Sequence, residues 1–434
     1  MPNETLQSHT VRSAHAVQGE IRVPGDKSIS HRSIMLGSLA QGQTVVRGLL
    51  RGEDNLATLN AFRAMGVEVR DDGDTLVITG RGVHGLQEPA DLVDCGNSGT
   101  SIRLLTGLLA GQRFFSVLTG DPYLRKRPMR RVLEPLSRMG ARIFGREGGE
   151  KAPLAVVGSP LTGISYASPI ASAQVKSALL LAGLYATGET TVTEPTLSRD
   201  HSERMLRHFG ADLTTFPGGV TIRGGRDLTG GEIRVPGDIS SAAFFLVAAT
   251  VVPGSELLIR DVGMNPSRTG ILDILTAMGA AIEVQNLREL TGEPVADLLV
   301  RSAHLTGIEI GGALVPRAID EFPVLCVAAA LAEGRTVVRD ARELRVKETD
   351  RIAAMAANLR LAGATVTETE DGMVIEGRES LMGCAAESYG DHRIAMAMLV
   401  AGLVARGETT VRDVGCIATS FPDFIPLLEK VARR

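Results

Sequence analysis

The sequence predicts an α/β fold built inside-out, with apolar helices in the interior and short sheets around them. Three observations carry this: a segment that occurs twice, a helix–strand cycle that recurs along the chain, and helical stretches that are apolar on every side. GEIRVPGD stands at 19–26 and again at 231–238. Helical stretches that end in Met-Gly or Phe-Gly lead into strands in NAFRAMGVEV (60–69), LEPLSRMGARI (133–143), MLRHFGADL (205–213) and ILTAMGAAIEV (274–284), and NLRLAGATV (358–366) repeats the pattern with Ala-Gly. The stretches Ala242 to Val251 and Val324 to Leu331 have almost no polar face, and a helix of that kind belongs in a core.

Each element has a local reason. Gly-bounded, β-branched runs such as GQTVVRGL (42–49), GSELLIRDV (254–262) and GETTV (188–192 and 407–411) read as strands. Thr190–Glu194 and Thr336–Asp340 alternate as outer strands do. Six βαβαβ-like units result, starting near residues 20, 92, 164, 232, 307 and 384, the last cut short after its second helix. Many repeat proteins stack as solenoids. Here the VPGD copies at 23–26 and 235–238 divide the units into two sets of three. That favours two globules, 25–237 and 1–24 plus 238–434, joined by crossing segments near 23–26 and 235–238, with helix starts from both facing a shared cleft.

A chain of 434 residues, 44% hydrophobic and 22% charged, has the composition of an ordinary soluble protein with two or three cores. Net charge is −4 and aromatics are 3% without Trp, which argues against a general nucleic-acid surface. The four cysteines, Cys95, Cys326, Cys384 and Cys416, form no CxxC pair and suit neither a zinc site nor a disulfide framework. With no apolar leader in MPNETLQSHTVRSAH and no run long enough to cross a bilayer, the expected location is the cytoplasm.

Cations recur at the expected helix starts: Lys27 and Arg32 in GDKSISHR, Arg103 after GNSGT, Arg127 in KRP, Lys347 and Arg351 in VKETDR, and Arg393 in GDHR. A helix N-terminus already carries unpaired N–H groups and partial positive charge, so cations there call for an anion. A polyanionic small ligand is the expectation. Removing Lys27 or Arg127 should then leave stability unchanged or raise it.

The copy GDIS at 237–240 keeps the turn of GDKS and drops the lysine, so the scaffold does not need Lys27. GNSGTSIR (96–103) is a Gly-rich helix entry that lets an anion approach, and no GK[ST] follows as in a Walker loop. In RKRPMRR (125–131) Arg127 precedes Pro128 at a helix mouth, while the other charges read as a solvated face. Lys347 and Arg351 fall at i and i+4 on one helical face, where either a shared anion lies between them or Glu348 and Asp350 neutralise them. In YGDHR Asp391 reads as an N-cap, and His392 beside it as a proton-handling group. AIDEFP (318–323) offers two carboxylates, one to cap a helix and one to act as a general base.

Taken in order along nearly the whole chain, GDKSISHR, GNSGTSIR, RKRPM, RVKETDR, YGDHR and SFPDF closely resemble the enolpyruvyl-shikimate-phosphate synthases. The resemblance implies a two-domain inside-out α/β barrel of six βαβαββ repeats, the enolpyruvyl transferase fold. It also implies transfer of the carboxyvinyl group of phosphoenolpyruvate to the 5-hydroxyl of shikimate 3-phosphate with release of phosphate, in aromatic amino-acid biosynthesis. The implied partners are those two small molecules, with no metal, cofactor, nucleic acid or membrane, acting on a monomer.

By the same resemblance, Lys27, Ser28 and Arg32 match the first substrate-binding segment, with Lys27 touching both ligands and serving catalysis. Asn97, Gly99, Thr100 and Arg127 match the phosphoenolpyruvate region. Ser172, Ala173 and Gln174 match the shikimate-phosphate loop, Gln174 reaching phosphoenolpyruvate as well; Ala173 replaces a serine common there. Ser198 and Arg199 align with another phosphate contact. Asp320 matches the base for the attacking hydroxyl, Lys347 the shikimate-phosphate site, Glu348 a proton-transfer carboxylate, Arg351 and Arg393 the phosphoenolpyruvate clamp, and His392 an assisting group. Thr419 stands where many members carry a lysine; with GNSGTSIR and SRDHSE this resembles the family's second class.

Two rivals share a related repeat fold. The UDP-N-acetylglucosamine enolpyruvyl transferases typically carry a Gly-Gly-Cys loop where this chain has LTGDPYLRKRP, with no cysteine between Cys95 and Cys326. The RNA 3′-phosphate cyclases would bind ATP and form an adenylyl-histidine.

Overall fold

Apolar helices occupy the centre of each of two units in the computed structural model, which describes residues 7–434. One unit comprises the chain up to Pro24, Pro236–Arg288 and Pro294–Arg434; the other comprises Gly25–Val235 and Glu289–Glu293. The repeats of the 25–235 unit contribute the helices α1 (Lys27–Leu39), α2 (Glu53–Ala64), α3 (Gly99–Ala110), α4 (Arg130–Arg138), α5 (Ala173–Gly183) and α6 (His201–His208). Those of the other unit contribute α7 (Ile239–Val251), α8 (Gly270–Ala277), α9 (Phe322–Ala330), α10 (Arg351–Leu361), α11 (His392–Gly402) and α12 (Phe424–Val431).

The helices without a polar face lie where their composition requires. Every residue of α7 from Ile239 to Thr250 is buried, as is every residue of α9. They share one apolar core with Phe421 and Phe424. A second core joins α1, α3 and α5 in the 25–235 unit. At Gly37, Gly183 and Gly402, near helix ends, an added Cβ would stand 3.0–3.2 Å from the Cβ of Thr44, Thr190 or Thr409 on the strand that follows. The same seven-residue step in three repeats sets how closely helix and sheet pack.

The sheets follow one plan. Val93–Asp94 pairs parallel with Phe115–Thr119, which pairs antiparallel with Lys151–Val157 and through it with Arg142–Gly145. The sheet built on Glu189–Thr193 and the one built on Arg335–Val338 have the same order. The first and fourth repeats depart from it, because the two GEIR copies are exchanged. Glu232–Arg234 pairs parallel with Gln43–Arg47, and Ala16–Arg22 pairs parallel with Glu256–Gly263. Each copy completes the sheet of the repeat that follows the other copy. Local pattern cannot reveal this, since the two segments are nearly identical.

A G-x-G-x-x-G run at 80–85 follows the strand Thr75–Thr79, but no helix opens behind it, so it lacks the setting of a dinucleotide loop. Among the described residues no helix is long and apolar enough to cross a membrane.

Candidate functional site

In the 25–235 unit the expected residues cluster around the starts of α1, α3 and α5. Asp26 caps α1, its Oδ1 accepting the Ile29 N–H at 2.9 Å, which leaves Lys27 as the first helical residue. That is an unfavourable place for a cation. The protein answers it with Asp54 from the first turn of α2, whose Oδ2 lies 2.5 Å from Lys27 Nζ. Arg32 is buried one turn further on and donates to Ser202 Oγ (2.7 Å), Ser177 Oγ (2.7 Å) and the Ser28 carbonyl (2.9 Å). His31 is buried between them, with Nδ1 2.8 Å from Thr58 Oγ1. Desolvation, then the charges of Lys27 and Arg32, push its pKa well below the usual histidine range, so it is neutral.

Lys27 therefore does not behave as expected from its position alone. The Lys27–Asp54 pair is largely removed from water, so taking away the ammonium costs stability. Lys27→Ala is expected to lose about 1–3 kcal/mol, read as a lower Tm. An unchanged or raised Tm would restore the view of Lys27 as a cation held only for a ligand.

Arg127 also sits differently from expectation. It follows the short 3₁₀ turn Leu124–Lys126 and stands before α4, outside its first turn. Met129 takes the N-cap position, and Pro128 separates Arg127 from it. Arg127 Nη2 donates to Asn97 Oδ1 at 2.7 Å, and Asn97 Nδ2 donates to Asp121 at 2.6 Å. Ser98 caps α3, with Gly99 and Thr100 as its first residues. Gln174, in the first turn of α5, donates to Thr100 Oγ1 (3.2 Å) and accepts from Arg103 Nη1 (2.6 Å). Arg103 thus joins the group with no role expected beyond its charge.

Ser172 is the N-cap of α5 and Ala173 its first residue, so Ala173 offers backbone where a serine would offer a hydroxyl. Ser198 Oγ donates to Glu194, 2.7 and 2.9 Å from its two oxygens. Arg199 follows it on the same loop, partly exposed.

The other unit holds the acidic part. Neither carboxylate of AIDEFP caps α9: its N-cap is Glu321, with no side-chain capping bond. Glu321 is buried against Ser240 and 4.0 Å from Arg268. Asp320 faces three cations, at 3.3 Å from Arg351 Nη1, 3.8 Å from Lys347 Nζ and 4.0 Å from Arg393 Nη2. Arg393 also donates to the Asp320 carbonyl at 3.2 Å.

Lys347 and Arg351 do not share a helical face. Asp350 caps α10, its side chain accepting the Ala353 N–H at 3.0 Å, so the helix begins only at Arg351. Lys347 closes the preceding 3₁₀ turn. Desolvation lowers its pKa from the ordinary lysine value, and Asp320 opposes that shift. Arg351 is 1% exposed and donates to Asp391 (2.8 Å), Glu348 (2.6 Å) and Asp320 (3.3 Å). Desolvation works against its charge, but the three carboxylates more than offset it and raise its pKa. Asp391 has two tasks, since it also caps α11 through the Arg393 N–H at 2.9 Å. His392 is the buried first residue of α11. Thr419 Oγ1 bonds back to the Cys416 carbonyl at 2.8 Å, in its own 3₁₀ turn.

Asp54, Asp391 and Glu194 are the site groups that sequence reasoning gave no site role, and Arg103 is one that it marked only as a cation at a helix start. Asp54 looks like an ordinary first-turn acid and Asp391 like an ordinary cap. Each cluster sets cations and carboxylates side by side, which suits binding of anionic groups together with proton transfer.

A family model described as EPSP synthase (3-phosphoshikimate 1-carboxyvinyltransferase) matches residues 11–428. The chain is 76% identical over 426 residues to a 3-phosphoshikimate 1-carboxyvinyltransferase of Geotalea uraniireducens, covering 98% of this chain and 99% of that protein. It is 73% identical over 429 residues to the protein of that name from Geobacter metallireducens, covering 99% and 100%. Among solved structures, an EPSP synthase from Acinetobacter baumannii superposes with a TM-score of 0.87 at 49% identity, covering 99% of this chain and 98% of that one.

Proposed function

From the premise that the chain belongs to the EPSP synthase family, we propose that the residues gathered at these helix starts are the groups that carry the family's reaction. The protein is a transferase: it moves the enolpyruvyl group of phosphoenolpyruvate to the 5-hydroxyl of shikimate 3-phosphate and releases phosphate, a step of aromatic amino-acid biosynthesis.

The observation that carries the assignment of roles is Asp320 among Lys347, Arg351 and Arg393. A carboxylate without a capping duty, ringed by cations, is placed to take the proton of a hydroxyl while the cations hold the anions of the second substrate. In this reading the hydroxyl oxygen attacks C2 of phosphoenolpyruvate and Asp320 takes its proton. Glu348, with His392 assisting, gives a proton to the methylene carbon. The tetrahedral adduct then loses phosphate as the new methyl group returns a proton.

Lys27, Ser28, Arg32, Ser172, Ala173 through its backbone, Gln174, Ser198, Arg199, Asp320 and Lys347 hold shikimate 3-phosphate. Lys27, Asn97, Gly99, Thr100, Arg127, Gln174 and Arg393 hold phosphoenolpyruvate; Arg351, expected in the clamp on it, is engaged by Asp391, Glu348 and Asp320 and serves by holding the last two in place. The two units are taken as the enzyme's domains, connected near 23–26 and 235–238, and the enzyme as cytoplasmic and as a monomer; gel filtration checks the monomer.

The test is phosphate release from phosphoenolpyruvate with shikimate 3-phosphate as acceptor, beside the same assay with UDP-N-acetylglucosamine. Release with the second acceptor alone would overturn the reading. A sharper check uses Gly99, where an added Cβ would lie 2.7 Å from Arg127 Nη1 and 2.8 Å from Arg103 Nη1. Gly99→Ala is expected to push those guanidinium groups aside and raise KM for phosphoenolpyruvate about tenfold to a hundredfold. KM for shikimate 3-phosphate should change far less. Equal changes in both would show that Gly99 does not border the phosphoenolpyruvate site.

A further inference from the structure

Behind the loop that carries Ser198 lies a buried carboxylate that the reaction does not use. Glu194 follows the strand Glu189–Thr193, and its side chain is only 3% exposed. Oε1 accepts the Ser172 N–H at 3.1 Å and the Ser198 hydroxyl at 2.7 Å. Oε2 accepts Lys176 Nζ at 2.8 Å, the Ser198 N–H at 3.3 Å and the same hydroxyl at 2.9 Å. Four donor groups therefore fill the roughly four lone-pair sites of an ionised carboxylate. Lys176 is buried too, and its second partner is Glu203, 2.8 Å away in the first turn of α6. Ser177 and Ser202, next in the chain to Lys176 and Glu203, hold Arg32.

We propose that Glu194 is the positioning residue of the shikimate 3-phosphate site, a clamp that fixes Ser172 and Ser198 in one frame; this rests on the reading of those two serines as ligands of that substrate. Two loops separated in the chain meet at a single carboxylate, and each gives it a backbone N–H. Their spacing is thereby set before any ligand arrives. The Ser198 N–H keeps the loop on Glu194, and the hydroxyl, which rests on the same carboxylate in the free protein, turns from it to donate to an incoming anion. Preorganisation of this kind reduces the ordering cost of binding.

A neutral amide cannot replace the clamp. Glu194→Gln turns one acceptor into a donor, and that donor faces Lys176, the serine N–H groups or the serine hydroxyl. Glu194→Asp keeps the charge for Lys176, and with it the ion pair of the core, but shortens the side chain by one methylene, so it cannot reach both loops.

The experiment measures shikimate 3-phosphate binding by calorimetry and steady-state kinetics for both substrates, in wild type and both variants. Wild type should bind. Each folded variant should bind shikimate 3-phosphate at least tenfold more weakly, with KM for phosphoenolpyruvate and kcat at saturating shikimate 3-phosphate changing much less. Glu194→Asp carries the test if Glu194→Gln does not fold. Unchanged affinity in a folded variant, or equal losses for both substrates, would sink the clamp and leave Glu194 an element of the core. A wild type that fails to bind shikimate 3-phosphate would remove the site reading and the clamp together.

Discussion

Replacing Asp320 by asparagine is expected to lower kcat about 10²–10⁴-fold with little change in the affinity for shikimate 3-phosphate. The side chain keeps its size and one acceptor oxygen but can no longer take a proton. Helix capping does not account for Asp320, because α9 has no side-chain capping bond and Glu321 holds the N-cap position. The carboxylate is 14% exposed, so a substrate hydroxyl can reach it. Three cations surround it, and loss of its charge leaves Lys347, Arg351 and Arg393 to repel one another in the free enzyme. Bound anions relieve that repulsion, so affinity should hold while turnover falls. A variant with near-normal kcat would pass the role of base to Glu348 or another group.

Arg351→Met is expected to unfold at markedly lower denaturant, with a loss of about 3–5 kcal/mol. The guanidinium is 1% exposed and joins Asp391, Glu348 and Asp320. Methionine fills much of the volume but removes the charge. The remaining buried carboxylates must then find water or protons, and Asp391 has a side-chain exposure of 0%. Arg351→Lys should recover only part of the loss, because one ammonium cannot serve carboxylates on three sides as a planar fork does. Equilibrium unfolding in urea measures both. If Arg351→Met changed stability by less than about 1 kcal/mol, the arginine would be no more than the surface ion pair that such a value describes.

Arg351 also shows where sequence reasoning reached its limit. Its charge near a helix start was legible, and the start itself was near the expected place. The i, i+4 relation to Lys347 was not realised, because Asp350 captured the Ala353 N–H and delayed the helix until Arg351. A capping bond of about 1 kcal/mol decides such a boundary. The counterion Asp391 is 40 positions away, beyond any local period. Lys27 repeats the lesson: its position against the helix dipole was visible, but Asp54 looked like an ordinary first-turn acid.

What the sequence determined by itself was everything set within a few residues or by repetition. Asp391 as a cap, α7 and α9 as core helices, the recurrent strands and the six-fold repetition all follow from side-chain period and capping chemistry, which act at short range along the chain. The resemblance carried by GDKSISHR, RVKETDR and YGDHR likewise needed only residue order. The tertiary structure alone decided which GEIR copy completes which sheet, since nearly identical segments offer a strand the same backbone hydrogen bonds. It also decided which carboxylate neutralises which cation. Coulomb energy depends on distance in space and on burial, and neither is written in the spacing of residues along the chain.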